Sequence, residues 1–329
     1  MKAVLMQGFG GVDVLKIGDI PIPNLKDNQV LVKVMATSIN RPDLVQRIGL
    51  YPPPPGESEI LGLEVAGVIE ELGPGVSGWN VGEKVMSLVG GGGYAEYAAA
   101  YAPHLIPIPE NMTCFEAACI CESYITAFLN IFLLGEFKDG QTALLHGGGG
   151  GVNTAGIQLC KALAPGCRLI ITAAPEKMEK VKDLGADLVI NYKENPDFST
   201  IVLDYTNKKG VDVILDHVGA KYFAPNMSSL AIKGRLVVIG FISGFKAELN
   251  LAQMLMNRQR IIGSVLRPLP VSEKGELIAE FICRVLPELS RRTIVPIIEE
   301  VFPLDDVAEA HQMMEEDRHF GKIVLQIGT

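Results

Sequence analysis

The residues most ready for chemistry are five consecutive glycines, Gly147 to Gly151, followed by Val152. By composition alone such a run is as good a linker as a site. Its position separates the two readings. The apolar stretch Thr142-Ala143-Leu144-Leu145 precedes it, and Thr154 to Leu163 follows with helical spacing. Between a strand and a helix, glycines allow a tight turn, close backbone approach to a pyrophosphate, and close helix–strand packing. The helix N-terminus then offers free N–H groups and the positive end of its dipole to the anion. Gly148, Gly149, Gly150, Gly151 and Val152 are therefore expected to hold the pyrophosphate of a dinucleotide. The last glycine of the pattern falls on Asn153, which predicts slightly looser packing there.

The next strand, Arg168 to Thr172, decides which dinucleotide is expected. NAD-binding turns place an acid at this strand tip to grip the ribose 2′-hydroxyl. Here the tip reads Thr172-Ala173-Ala174-Pro175, with Lys177 just after it and Tyr192 after the third strand. A cation and a phenol suit a 2′-phosphate. NADPH is the expected cofactor, with Thr172, Ala174, Lys177 and Tyr192 around its adenosine end. Glu176 is a contrary sign, and a solvated helix lysine is the plainer reading of Lys177. Ligands of open α/β sheets bind outside the carboxyl ends of strands. His217 and Val218, after the strand ending at Asp216, and Phe241, Ile242 and Ser243, after the strand ending at Gly240, are placed at the cofactor on that ground. A structural histidine competes at His217. His104 and His311 show no partnered motif. There is no G-x-S-x-G elbow and no P-loop, so hydrolase and NTPase chemistry have no support.

The elements that position these residues come in two styles. Up to about Glu122, short runs such as Val30 to Val34, Gly62 to Ile69, Val85 to Val89 and Tyr94 to Tyr97 read as strands broken by glycine and proline. Tyr51-Pro52-Pro53-Pro54-Pro55-Gly56 must be a loop, because proline has no backbone donor. Beyond Glu122, strands alternate with helices, including Glu176 to Leu184, and the strands Leu188 to Asn191, Val211 to Asp216 and Leu236 to Gly240 are apolar. That alternation predicts a parallel sheet covered on both faces. A long helix is expected from Glu273 to Ser290, and a closing strand at Lys322 to Leu325 that packs back on the first domain. The fold class is thus α/β: a GroES-like β-barrel-type domain, 1–122 completed by 269–329, and a Rossmann domain, 123–268.

Bulk properties agree. The 329 residues favour two domains, and 48% hydrophobic residues can build their cores. A net charge of -9 argues against nucleic acid as a partner. No secretory leader and no run near the ~18 apolar residues of a membrane helix is apparent, so a cytoplasmic protein is expected. The six cysteines form no C-x-x-C pair and read as small buried hydrophobes.

With these residues in view, the sequence resembles the zinc-free quinone oxidoreductase branch of the medium-chain dehydrogenase/reductase superfamily, closest to its p53-inducible type. The resemblance spans essentially the whole chain. Ser38 to Leu44, Gly49 to Pro54, Ile60 to Glu64, Gly147 to Val152, Asn191-Tyr192 and Gly321 to Leu325 carry it. The superfamily's alcohol dehydrogenases bind catalytic zinc through Cys, His and Cys. Those positions hold Asn40, Leu63 and about Glu122 here, and the structural four-cysteine lobe is missing. Leu63 cannot ligate, and an amide with a carboxylate is a poor zinc site, so no metal is expected. The resemblance implies Asn40 near the nicotinamide, and Tyr51 on the proline loop as a group that bonds a substrate oxygen or helps deliver a proton. Thr126 and Lys322 are further cofactor candidates, while Arg41 and Asp43 are expected to pair structurally. Reduction of a quinone by NADPH is the leading reading. Double-bond reduction of an α,β-unsaturated aldehyde or ketone stays open, as does a non-catalytic NADPH-binding role as sensor, structural or RNA-binding protein. Relatives pair sheet edges across a two-fold axis, so a homodimer is expected through Leu236 to Phe241 and Ile261 to Val265.

Overall fold

A computed structural model describes residues 1–328 and divides them into two compact units, 1–125 with the tail from 266, and 126–265. The first unit opens with a two-stranded antiparallel ribbon, β1 (Lys2–Met6) and β2 (Leu15–Asp19). β3 (Gln29–Ser38) is its longest strand. Alternating Val30, Val32 and Val34 point into one apolar core with Val65, Ile69 and Val85, as the period of two requires. Helix α1 (Arg41–Arg47) follows, then β4 (Glu64–Leu72), β5 (Lys84–Leu88), β6 (Tyr97–Tyr101) and β7 (Leu105–Pro107). The strand expected at Tyr94 to Tyr97 starts only at Tyr97. Tyr94 instead sits in a bend, where its backbone bonds Val4 and Leu61 and its phenol turns inward. Tyr51 to Gly56 contains no helix or strand, as four prolines require. Two short helices, α2 (Cys114–Ala117) and α3 (Cys121–Phe128), lead out of this part of the chain.

The second unit is a single parallel sheet. Its strands are β8 (Thr142–His146), β9 (Arg168–Ala173), β10 (Leu188–Asn191), β11 (Val211–Asp216), β12 (Leu230–Val238) and β13 (Arg260–Gly263). Helices α4 (Gly151–Leu163), α5 (Met178–Asp183), α6 (Ser199–Tyr205), α7 (Ala220–Ser229) and α8 (Leu251–Asn257) join them. The order is β10-β9-β8-β11-β12-β13, so the chain reverses direction across the sheet between β8 and β11. That is the Rossmann order, and the crevice for a ligand lies at this switch point. β12 is paired on both sides, so only β13 of the two strands expected at the edge lies there.

The tail forms α9 (Val271–Ser290), β14 (Ile298–Pro303), α10 (Val307–Glu315) and β15 (Lys322–Gln326). β15 pairs antiparallel with β3, Val324 opposite Ser38, and completes the sheet of the first unit. Among the described residues no helix is long and apolar enough to cross a membrane.

Candidate functional site

The glycine run makes the turn its position requires. Gly147 has φ +74°, a region open to glycine. The N–H groups of Gly147 and Gly148 both donate to the Thr172 carbonyl, at 3.0 and 2.9 Å, which ties the turn to the end of β9. A Cβ on Gly147 would come within 2.8 Å of the His217 ring, and one on Gly148 within 2.5 Å of Ile171 Cγ2. Helix α4 begins at Gly151, where first-turn N–H groups have no intrahelical acceptor. The glycines themselves thus add no side chain to this closely packed turn, which fits the pyrophosphate of a dinucleotide cofactor.

Asn153 does not loosen the packing. It is buried, and its Nδ2 donates to the Gly147 carbonyl at 3.0 Å, bracing the turn from inside. Close helix–strand packing is provided one turn later. A Cβ on Gly156 would sit 3.2 Å from Leu145 Cδ1 of β8 and 3.0 Å from Ile131 Cδ1. The expectation of a slack turn is corrected by these two contacts.

Lys177 is not a solvated helix lysine. It ends a 3-10 turn, Pro175–Lys177, and is 8% exposed. Its stem lies over Gly149, where a Cβ would meet Lys177 Cδ at 2.3 Å. Tyr192 reaches the same strand tip, its N–H donating to the Ala173 carbonyl at 3.4 Å. Glu176, the contrary acid, points outward and pairs with Lys193 at 3.6 Å. Thr172, Ala174, Lys177 and Tyr192 therefore gather at one end of the turn. At the other end two loops are stitched together. Ile242 N–H donates to the His217 carbonyl at 3.2 Å, and Ser243 Oγ to the Val218 carbonyl at 2.7 Å. Phe241 and Ile242 are 64% and 69% exposed, whereas the Ser243 hydroxyl is used in joining the two loops, accepting also from the Lys221 N–H at 3.0 Å. Thr126 lies on α3, its carbonyl accepting from Asn130 Nδ2 at 2.7 Å.

A buried brace, which no sequence motif marked, lies below the turn. His146 Nε2 bonds Asn226 Oδ1 at 2.7 Å, and its Nδ1 bonds Thr172 Oγ1 at 3.0 Å. The amide oxygen can only accept, so Nε2 carries the proton and Nδ1 accepts from the threonine. Asn226 Nδ2 donates in turn to Asp216, whose other oxygen accepts from the N–H groups of Val218 and Gly219. One chain of bonds thus fixes the ends of β8, β9 and β11. Burial keeps His146 neutral, lowering it to about 3, and raises Asp216 to about 6 against its hydrogen bonds.

The first unit contains a second polar cluster. Asn40, Glu64 and Lys322 are all buried. Lys322 Nζ donates to Asn40 Oδ1 at 2.5 Å, Glu64 Oε1 at 3.1 Å and the Ile39 carbonyl at 3.3 Å. Asn40 Nδ2 donates to Glu64 Oε1 at 2.9 Å and the Ser38 carbonyl at 3.3 Å. Glu64 also accepts from Ser38 Oγ and from the Glu122 N–H. Lys322 was expected at the cofactor; its three protons are instead spent in this cluster. Asn40 likewise acts here first, as the partner of an ammonium and a carboxylate. Leu63, at the position of the family's histidine, is buried and apolar.

Arg41 and Asp43 do not pair. Arg41 reaches Asp317 at 3.6 Å on the surface. Asp43 is buried and accepts from the N–H groups of Asn40 and Gly62 and from the Tyr94 phenol. Burial raises its carboxyl to about 6. Beyond Tyr94 lies His311, which no motif had singled out. Arg47 Nη1 can only donate, so His311 Nδ1 accepts from it and Nε2–H faces the Tyr94 oxygen at 3.2 Å. The chain ends in a two-oxygen contact of Arg47 with Glu315.

Tyr51 sits under a guanidinium. Arg267 lies 5.2 Å from the ring centroid, within cation–π range. Arg267 is itself held by the Gly90 carbonyl, from Nε at 2.9 Å and Nη2 at 2.6 Å. Burial, above all, raises the Tyr51 phenol above its ordinary value. It stays a hydrogen-bond donor at neutral pH.

Residues 26–110 match the alcohol dehydrogenase GroES-like domain family and 151–281 the zinc-binding dehydrogenase family. The chain is 32% identical to human quinone oxidoreductase, over 99% of this chain and 97% of that protein. It is 30% identical to the human synaptic vesicle membrane protein VAT-1 homolog, over 100% of this chain and 87% of the other. Among solved structures, a mycobacterial protein complexed with NADPH superposes with a TM-score of 0.88 at 30% identity, covering 99% of this chain and 100% of that one. A structure described as an NAD-dependent alcohol dehydrogenase matches with a TM-score of 0.86 at 32% identity, over the full length of both chains.

Proposed function

The chain belongs to the medium-chain dehydrogenase/reductase superfamily, in the branch that holds the quinone oxidoreductases, and from that membership we propose that it reduces quinones with NADPH and without a metal. One observation carries the reading. The positions that hold zinc in the superfamily's alcohol dehydrogenases contain Asn40 and Leu63, and Asn40 is locked to Glu64 and Lys322. A side chain with no lone pair and an amide already bonded to an ammonium do not make a zinc site. Without a Lewis acid the acceptor must take hydride unaided, which favours quinones over simple carbonyls.

The bound nicotinamide would supply two electrons as hydride. The protein's part is to hold it. Gly148 to Val152 cradle the pyrophosphate, and Lys177 with Tyr192 meets the 2′-phosphate. Thr172 and Ala174 shape that end, while His217, Val218, Phe241 and Ile242 form the rim toward the nicotinamide. The Tyr51 phenol, oriented by Arg267, donates a hydrogen bond to an acceptor oxygen. A side-by-side assay of NADPH oxidation with an ortho-quinone, a para-quinone and an α,β-unsaturated aldehyde tests the reading. Turnover of a quinone is expected. Preference for the aldehyde would move the assignment to double-bond reduction, and tight NADPH binding with no turnover would remove the enzyme reading.

Pairing of two copies through β13 is part of the same proposal. This edge strand has a partner on one side only, and Ile261 and Val265 are 38% and 57% exposed. A second copy would cover an edge that otherwise invites aggregation. Light scattering at micromolar concentration should give a dimer mass; a monomer alone would refute it.

A further inference from the structure

The brace beneath the glycine turn admits one pattern of donors and acceptors. Thr172, His146, Asn226 and Asp216 are each at most 1% exposed, so no solvent competes for their bonds. Asp216 Oδ1 accepts from the N–H groups of Val218 and Gly219 at 2.7 and 3.2 Å, and its Oδ2 from Asn226 Nδ2 at 3.2 Å. Turning the Asn226 amide over would set its Oδ1 against that carboxylate oxygen, two acceptors with no proton between them. The amide oxygen is thus left for His146 Nε2–H at 2.7 Å, and His146 Nδ1 for the Thr172 hydroxyl at 3.0 Å. Each bond fixes the direction of the next, and a buried group left unpaired anywhere along the chain is costly.

The two ends of this chain are two ends of the candidate cofactor site. At one end Thr172 holds the turn. Its carbonyl accepts from Gly147 and Gly148, and its hydroxyl oxygen also meets the Gly147 N–H at 3.3 Å. At the other end Val218 and Gly219 are tied to the loop after β12. The Val218 carbonyl accepts from the Ser243 N–H at 2.8 Å and the Ser243 hydroxyl at 2.7 Å, and the Gly244 carbonyl accepts from the Ala220 N–H at 3.0 Å. The two loops are in close contact there: a Cβ on Gly219 would come within 2.7 Å of the Gly244 carbonyl oxygen. Asn226, on α7, is the middle link. It is fully buried, and acts on a bound dinucleotide only through its neighbours. His146 is sealed in the same way, its ring 5.0 Å from that of Phe198 and 4.8 Å from that of Tyr222, centroid to centroid.

We propose that Asn226 and His146 are positioning residues for the dinucleotide. Without touching it, they set the glycine turn and the 217–219 loop in the one arrangement that receives it. The inference rests on the reading of this unit as an NADPH site. A site whose two ends share one buried chain of bonds is ordered before the cofactor arrives, and less of the binding energy is spent on ordering it.

The test uses Asn226→Leu and His146→Phe, which keep the bulk and remove the bonds. His146→Phe retains a ring against Phe198 and Tyr222, and carries the test if Asn226→Leu does not fold. The first readout needs no cofactor. In nitrogen–proton correlation spectra the wild-type His146 should show the Nε2–H tautomer. In either variant the backbone amides of Gly147 and Gly148 and those of Val218 and Ser243 should shift together. The opposite tautomer, or shifts at one end alone, overturns the proposal. The second readout is fluorescence titration with NADPH, whose affinity should fall about tenfold in both variants, as one lost buried bond implies. Val202→Ala, a cut in the apolar core of the same unit, is the control for stability and should bind NADPH as the wild type does. An equal loss in Val202→Ala, or no loss in the two variants, overturns the positioning role alone. A wild type that does not bind NADPH overturns the cofactor reading, and the positioning role with it.

Discussion

Lys322 Nζ and Glu64 Oε1 form an ion pair at 3.1 Å with both side chains at most 4% exposed. The pair joins the last strand to β4 through the interior of the first unit. Its worth is asymmetric: a buried pair adds little over an apolar substitute, but removing one partner strands the other charge.

Lys322→Met should therefore destabilise the protein by about 3–5 kcal/mol. Adding Glu64→Gln should return much of that loss, since the stranded anion is then gone. Urea unfolding of both variants checks it. A Lys322→Met protein within about 0.5 kcal/mol of the wild type, the range of ordinary surface changes, would contradict the burial argument.

The stem of Lys177 over Gly149 leads to a cofactor prediction. Lys177→Ala removes a charge-assisted contact of about 1.5–3 kcal/mol, so NADPH affinity should drop roughly 10- to 100-fold while NADH affinity holds. Ala174→Asp places a carboxylate at the tip of β9 and should shift preference toward NADH. Fluorescence titration with both cofactors reads each outcome. Equal use of the two by the wild type would refute the NADPH assignment.

Asn153 holds Gly147 by one hydrogen bond, and Gly150 N–H meets the same carbonyl. Asn153→Ala should cost about 1 kcal/mol, because the carbonyl keeps its second donor. Asn153→Asp should do more. It sets a carboxylate against that carbonyl and brings negative charge toward the pyrophosphate, so cofactor affinity should fall about tenfold, roughly the effect of one lost contact of 1.4 kcal/mol. Unchanged cofactor binding in Asn153→Asp would show that the amide faces away from the phosphates.

Much of this was legible in the chain itself, for identifiable reasons. The strands Leu188 to Asn191 and Val211 to Asp216 fall where apolar runs between turn residues predict them. The glycine run gained its meaning from its neighbours, and its turn has the form that position implies. What stayed hidden depends on distant partners. Nothing local to His311 announces Arg47 or Tyr94, which are 264 and 217 residues away in sequence. The brace from Thr172 through His146 and Asn226 to Asp216 joins three strand ends by side chains that carry no spacing signal. Lys322 looked available because a lysine near the C-terminus usually is, and only the pairing of β15 with β3 sinks it beside Glu64. Arg41 and Asp43 are two apart on a short helix, where side chains do not face each other.

The buried titratable groups set a pH dependence of stability whose sign changes with range. His146 and His311 are lowered from 6.5 to about 3, and His104 to about 4, so the folded state binds fewer protons there and stability rises with pH up to about 6.5. Asp43 and Asp216 are raised from 3.8 to about 6 and oppose this across most of the same interval. Above 6.5 these contributions are nearly complete. Glu122 remains, raised from 4.5 to about 8, and a folded state that holds its proton longer than the unfolded chain loses stability as pH climbs toward 8. Melting temperature should therefore decline between pH 6.5 and 8 in the wild type and stay level in Glu122→Gln. An equal decline in both would mean that some other group titrates in that window, and that the carboxyl of Glu122 is already ionised at neutral pH.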